Sequence, residues 1–143
     1  MYLNEGDGFT NHDELIHSSY HVDIADITAD AKWILAVDEY GTAYVYTFNF
    51  ETHEYDVHQS IHLSYYLYAG AITDDHMWIV LGKDNGYVYV YSYDGSQFIL
   101  NQTIFDESQL VSSVAITNDH EMLAIATYPH VFIYRYDGTR FNK

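Results

Sequence analysis

Nine histidines are the first residues of this sequence whose chemistry could serve metal binding. His58 and His62 lie four positions apart, and His12, His17 and His21 follow a similar spacing. On an extended strand, four residues span about 13 Å, which is too far for two imidazoles to reach one ion. We therefore predict no metal site and no cofactor.

Carboxylates are the next candidates, because 21 residues are Asp or Glu. Segments 4–8 (NEGDG) and 38–41 (DEYG) offer oxygen ligands, but neither matches the calcium loop D-x-[DN]-x-[DN]-G, so solvated turns are favoured. The sequence has no G-x-S-x-G, no phosphate loop and no H-E-x-x-H. These absences predict a protein that is not an enzyme.

The net charge of -16 excludes several classes of partner. Such a surface repels phosphate backbones and anionic lipid headgroups, so we expect neither nucleic-acid nor membrane binding. Cysteine is absent, and the N-terminus lacks the basic start and apolar run of a signal peptide. We expect a soluble protein, with the cytoplasm favoured over the extracellular space.

Three segments of the chain repeat one pattern: 25–37 (ADITADAKWILAV), 69–82 (AGAITDDHMWIVLG) and 114–126 (VAITNDHEMLAIA). Their Ile-Thr pairs, at 27–28, 72–73 and 116–117, are spaced by 45 and 44 residues. An aspartate and then a large apolar residue follow each pair in register: Asp30 and Trp33, Asp75 and Trp78, Asp119 and Met122. A shared register at this period indicates a repeat protein.

Each repeat predicts four short strands, a to d. Strand a ends at the Ile-Thr pair, and strand b carries the Trp or Met. Strand c covers 43–47, 87–92 or 131–135, where tyrosine alternates with valine or isoleucine. Gly41 and Gly86 supply the positive φ that the b–c turns need. Strand d begins at Tyr55, Phe98 or Phe141.

Four strands in about 45 residues are typical of a propeller blade. Over nearly its whole length the chain resembles the WD40-like β-propellers. It departs from them in two places: the Gly-His pair before strand a is absent, and the Trp-Asp that often ends strand c is replaced by Tyr46-Thr47, Tyr91-Ser92 and Tyr134-Arg135. We predict an all-β propeller fold with three four-stranded antiparallel blades per chain, half of a six-bladed ring. The blades are expected at 17–63, 64–107 and 108–143.

Segment 1–16 predicts a displaced strand d, because aligning Phe9 with Phe98 places Leu15 on Ile104. In WD40-like rings a strand from one terminus completes the blade made by the other, but three blades are too few to close a ring. We predict that two copies exchange these strands, with Phe9 and Leu15 of one copy against Val131 and Ile133 of the other. A piece of a longer propeller and a filament of half-rings are the alternatives.

The d–a and b–c turns share one face of a propeller, and here they hold tyrosines among carboxylates. Such turns predict a recognition face, since tyrosine combines a large contact area with a polar tip, although ordinary turns account for them equally well. The candidate residues are Tyr40, Tyr65, Tyr66, Tyr128, Asp84 and Asp106. The sequon at 101–103 makes Asn101 a candidate N-glycosylation site, with chance occurrence favoured.

These observations predict a non-catalytic propeller scaffold for protein–protein interaction or self-assembly, with itself or another protein as partner. A carbohydrate-binding propeller, with tyrosines stacked on a glycan, is the first alternative, and a hydrolase or lyase is the second.

Overall fold

The computed structural model describes residues 2–4, 9–11, 14–15, 20–64, 66–105 and 109–143, and every regular element there is a β-strand. Blade 1 contains β3 (Val22–Ile27), β4 (Trp33–Asp38), β5 (Thr42–Asn49) and β6 (Glu54–His62). Blade 2 contains β7 (Leu67–Ile72), β8 (Trp78–Lys83), β9 (Tyr87–Tyr93) and β10 (Phe98–Phe105). Blade 3 contains β11 (Val111–Ile116), β12 (Met122–Thr127), β13 (Val131–Tyr136) and β14 (Phe141–Asn142).

Each blade is an antiparallel sheet in which strands a to d pair in chain order. This arrangement confirms the all-β fold with three four-stranded blades. The alternation of tyrosine and valine forms strand c as predicted: in β9, Val88 and Val90 are fully buried while the tyrosines before and between them are only partly covered. Gly41 and Gly86 have φ of 85° and 84°, which confirms their place in the b–c turns.

The a–b turn has the same hydrogen bonds in all three blades. The Thr28 hydroxyl donates to Asp30 Oδ1 at 2.7 Å, and the Trp33 amide donates to Thr28 Oγ1 at 3.1 Å. Thr73 and Thr117 make the same bonds to their own turns. The turn needs one residue with positive φ, and Ala31, His76 and His120 occupy that position with φ of 56°, 55° and 62°.

The core lies between blades rather than within them. The face of each blade that looks to the next blade along the chain is termed here its trailing face, and the opposite one its leading face. Leu35, Val37 and Val45 on the trailing face of blade 1 pack against Ile79 and Leu81 on the leading face of blade 2, and all five are fully buried. Blades 2 and 3 form a second cluster of the same kind.

A glutamine on strand d joins neighbouring blades through the backbone. Gln59 Nε2 donates to Phe98 O at 2.9 Å, and Phe98 N donates to Gln59 Oε1 at 2.7 Å. Gln102 makes the same pair of bonds to Phe141, again at 2.9 and 2.7 Å. This glutamine clasp, as the paired bonds are called below, fixes where strand d of the following blade begins.

The N-terminal segment lies against blade 1 where Leu15 is described. β1 (Tyr2–Asn4) and β2 (Phe9–Asn11) pair as an antiparallel hairpin, with Asn4 opposite Phe9. Leu15 is half-buried beside a cluster that contains Ala36, Tyr46 and Tyr55 on the leading face of blade 1. The pairing of Phe9 with a second copy stays a prediction.

Candidate interaction surfaces

Four tyrosines form a continuous row on the face that holds the d–a and b–c turns. Ring centroids lie 4.0 Å apart for Tyr20 and Tyr40, 6.3 Å for Tyr40 and Tyr66, and 6.2 Å for Tyr66 and Tyr68. Each tyrosine of this row is about half exposed, from 46% to 51%. The row therefore presents aromatic surface across blades 1 and 2, with rings available to a partner.

Local hydrogen bonds hold the row in place. The buried Asp38 carboxylate accepts from the Tyr40 amide at 3.1 Å and from the Thr42 amide at 2.9 Å, which closes the turn that carries Tyr40. The Asp84 amide donates to Tyr66 O at 3.3 Å and ties the d–a turn to the b–c turn of blade 2. Tyr68 stands at an extra residue in strand a, where the register shifts between Leu67 and Ala69.

The structure brings together two of the predicted tyrosines, Tyr40 and Tyr66, with Asp84 beside Tyr66. Tyr128 is 84% exposed, and within the described residues no ring contact joins it to the row. Tyr65 and Asp106 lie outside the described residues. Sequence reasoning did not select Tyr68, because an extra residue in a strand leaves no compositional signal.

Basic residues are nearly absent from the accessible part of this face, among the residues that the structure describes. The chain has five Lys and Arg residues. Lys83, at the end of β8, is only 6% exposed. Lys32 and Arg140 lie in the a–b and c–d turns at the opposite edge, and Arg135 lies near the end of β13 at that same edge. Lys143 follows the last strand of blade 3, away from the row on blades 1 and 2. An anionic ligand therefore finds no accessible cation along the described part of the row.

The trailing face of blade 3 is open. Val131 and Ile133 are 65% and 46% exposed, although their counterparts in blade 2, Val88 and Val90, are fully buried. Thr117 is also exposed, in contrast to the equivalent threonines of blades 1 and 2. Met122, Ala124 and Ile133 line an apolar depression of about 200 Å³ here. In blades 1 and 2, the equivalent positions are covered by the following blade.

The leading face of blade 1 is open at matching positions. Val22 is 45% exposed, whereas the equivalent Leu67 is 1% exposed. Ile27 is 46% exposed, whereas the equivalent Ile72 is 6% exposed. Tyr46 stays buried on this face, and burial raises the pKa of its hydroxyl to about 12. Equivalent positions are thus buried at the junctions between blades and exposed on the two outer faces.

Polar contacts cross the junctions at the a–b turns. Asp74 Oδ1 accepts from the Ala29 amide at 2.8 Å, and Asn118 Oδ1 accepts from the Asp74 amide at 3.0 Å. His120 Nε2 lies 2.8 Å from Asp75 Oδ2. Burial opposes ionisation of Asp75, but bonds from Met77, Thr73 and His120 outweigh it and lower the pKa of that carboxyl.

The turn carboxylates respond to acid. A hydrogen bond from Thr28, and then one from the Lys32 amide, hold the pKa of Asp30 below its ordinary value. Thr117 and the Glu121 amide do the same for the pKa of Asp119. A lowered pKa means that the unfolded chain binds these protons more readily, so the turns lose stability as the pH falls below about 4.

Two of the histidines considered for metal binding, His58 and His62, have other contacts, whereas His12 and His17 lie outside the described residues. His58 meets the Trp33 ring edge-on at 5.0 Å, and His62 Nδ1 lies 3.0 Å from the Thr42 hydroxyl. Over the part of the chain that the structure describes, no three His, Cys, Asp or Glu side chains group to hold an ion.

Asn101 occupies the extra residue of β10, where the register shifts between Leu100 and Gln102. Its side chain is exposed, with Nδ2 3.4 Å from Ser92 Oγ. Its glycosylation stays a prediction.

Comparisons with known proteins define the class of fold. The structure is similar to the β-propeller domain of Myceliophteria thermophila Cps50 (Swd1), with a TM-score of 0.66 and 15% identity over 87% of this chain and 42% of that one. It is also similar to a protein from Lactobacillus plantarum, with a TM-score of 0.74 and 14% identity over 96% of this chain and 47% of that one. No family model and no curated protein matches the sequence.

The chain is therefore a β-propeller structure of three blades. It spans less than half the length of the two chains to which it is similar. No helix long and apolar enough to cross a membrane occurs in the described residues.

Proposed function

We propose that this chain is a non-catalytic propeller scaffold that assembles with a second copy of itself into a six-bladed ring. In this ring the N-terminal strand of each copy completes the third blade of the other. The assembled disc then presents its turns, including the row of tyrosines, to other proteins.

The exposure of Val131 and Ile133 carries the proposal. Equivalent residues are fully buried at both junctions inside the chain: Ala43 and Val45 in blade 1, Val88 and Val90 in blade 2. Full burial of a valine or isoleucine side chain contributes about 1.5–3 kcal/mol, and the exposed parts of Val131 and Ile133 forgo a share of this. The leading face of blade 1, with Val22 and Ile27, has the apolar character needed to cover them.

The position of Leu15 supports strand exchange. Ile61 and Ile104, on strand d of blades 1 and 2, are buried in the clusters formed with the following blade. Leu15 packs at the leading face of blade 1, as a strand d from a preceding blade does. In a closed ring that preceding blade is the third blade of the other copy.

The mass in solution tests the proposal through a matched pair of variants. Ile133→Asp places a charge in the proposed junction, whereas Ile99→Asp changes a side chain of nearly equal exposure, 45% against 46%, on strand d of blade 2. We expect the native chain and Ile99→Asp to sediment as two copies and Ile133→Asp as one. A single-copy mass for the native chain at all concentrations contradicts the proposal.

Carbohydrate binding is the second candidate, favoured by the row of four half-exposed tyrosines. Aromatic rings of this kind can stack on sugar faces. A glycan array with the native chain, Tyr40→Ala and Tyr66→Ala tests it. A single ligand that is lost in both variants supports this function, and an array without signal rules it out for the glycans displayed.

A further inference from the structure

The residue that begins strand b enters a pocket formed by the next blade. The His76 ring stacks on Trp33, with centroids 4.4 Å apart and an interplanar angle of 7°. Tyr93 and Phe98 meet the same indole edge-on at 5.5 and 6.1 Å. Blade 2 thus supplies three rings around one side chain of blade 1.

The second junction repeats this pocket. Trp78 of blade 2 has His120, Tyr136 and Phe141 of blade 3 at 6.0, 5.3 and 5.9 Å. The His, Tyr and Phe occupy the same three positions of the blade: the positive-φ residue of the a–b turn, the end of strand c and the start of strand d.

The two ends of the chain each carry half of a third pocket. Met122 begins strand b of blade 3 and lies beside the open depression. On blade 1 the three pocket positions hold Ala31, Phe48 and Tyr55. The Phe48 and Tyr55 rings meet edge-on with centroids 5.2 Å apart, close to the 5.0 Å between the equivalent Tyr93 and Phe98 of blade 2. The aromatic pair is therefore already assembled on the leading face of blade 1.

We infer that Met122 enters the pocket formed by Ala31, Phe48 and Tyr55 of a second copy; this inference rests on the proposed ring. A methionine thioether makes favourable contacts with aromatic rings, and its flexible side chain can fill a pocket of irregular shape. A contact between two copies accounts for both residues together. Ala31 stands where the internal junctions have a histidine next to the indole, and Met122 stands where they have the indole itself.

The junction between copies is then weaker than the two junctions inside each chain. Ala29 occupies the position at which Asp74 and Asn118 accept a backbone amide from the preceding blade. Its methyl group cannot accept this bond from the Asn118 amide of the other copy. Without that bond and without a stacked ring, this junction is where the ring opens first.

A double-variant cycle tests the contact. Ala31→His and Met122→Trp install the pair used at both internal junctions, and the backbone already suits it, since φ is 56° at Ala31 and 55° at His76. We expect the double variant to lower the Kd for two copies about two- to tenfold beyond the product of the single variants. Met77→Trp adds an exposed indole to the a–b turn of blade 2 and should leave the Kd unchanged.

The outcomes separate this inference from the proposed ring. Single-variant effects that simply multiply, at a two-copy mass, overturn the contact between Ala31 and Met122 and leave the ring standing. A single-copy mass for every protein overturns both. Thermal unfolding of each variant, followed by circular dichroism, confirms that all five proteins are folded when the masses are measured.

Discussion

At the scale of single residues, the two tryptophans show how a junction between blades is held. Trp78 is 8% exposed within the cluster of blades 2 and 3, whereas Trp33 is only partly buried. We expect Trp78→Ala to lower the free energy of unfolding by about 3–5 kcal/mol and Trp33→Ala to lower it by less, because less of its indole leaves water. Urea unfolding of the two variants measures the difference.

Fluorescence quenching gives an independent measurement. In the native protein, acrylamide should reach Trp33 more readily than Trp78, and the Trp33→Ala variant isolates the Trp78 signal. Free access of the quencher to Trp78 contradicts the burial on which this prediction depends.

The equivalence of Trp33 and Trp78 could be predicted from the sequence, but their ring partners could not. The repeat register places His76 and His120 at equivalent positions, but it gives no reason for either histidine. The structure supplies it: both occupy the positive-φ position of the a–b turn, next to the indole of the preceding blade. A contact between blades depends on their relative placement, which a single repeat does not encode.

At the scale of elements, the glutamine clasp joins strand d of one blade to strand d of the next. Gln102→Glu should lower the free energy of unfolding by about 1–3 kcal/mol at neutral pH. A carboxylate still accepts from the Phe141 amide, but it cannot donate to Phe141 O and places a second acceptor against it. Gln97→Glu, on the exposed c–d turn of blade 2, adds the same charge outside the clasp.

Equal urea midpoints for the two glutamate variants contradict a structural role for the clasp. Acidification offers a further check, because protonation of the introduced carboxyl restores a donor. The difference between the variants should therefore narrow as the pH falls towards about 4.

The strands were predictable because the alternation of tyrosine and valine marks strand c and glycine marks the turns that precede it. The register shifts at the extra residues Tyr68 and Asn101 were not predictable, since each adds only one residue to a short strand and leaves no compositional signal. The clasp was also hidden, because Gln59 and Phe98 are 39 residues apart and only the stacking of blades brings them together.

At the scale of the whole molecule, charge opposes the proposed assembly. Each copy has a formal net charge of -16 at pH 7, so two copies repel each other. Added salt screens this repulsion and should lower the Kd for the two-copy ring. Sedimentation at increasing sodium chloride concentration measures the effect. Association that weakens with salt instead indicates attraction between charges of opposite sign across the junction.

The three blades were predictable because a period of about 45 residues recurs across most of the chain, and the structure confirms them. How the ring closes depends on which apolar surfaces are left exposed, and a repeat pattern does not indicate this. The open positions became visible only by comparing equivalent residues, as with Val131 at 65% exposure against Val88 at 0%.

The N-terminal strand is the element on which closure of the proposed ring depends. β14 pairs with β13 only through Arg135 and Tyr136, whereas β10 pairs with β9 from Tyr87 to Tyr93. In the proposed ring, the strand from another copy pairs with strand c of blade 3 along 131–133. Deleting residues 1–16 removes that strand and should abolish the two-copy mass, leaving single copies or aggregates with an exposed strand edge.

A tandem protein, with two copies joined in one chain, provides the matched control for this deletion. It should form a six-bladed monomer, because the first N-terminal strand can reach the last blade without a second molecule. Its mass should then be independent of concentration and of the salt that shifts the two-copy equilibrium. A truncated chain that keeps a stable two-copy mass contradicts strand exchange, since the ring would then close through the packing of Val131 and Ile133 alone.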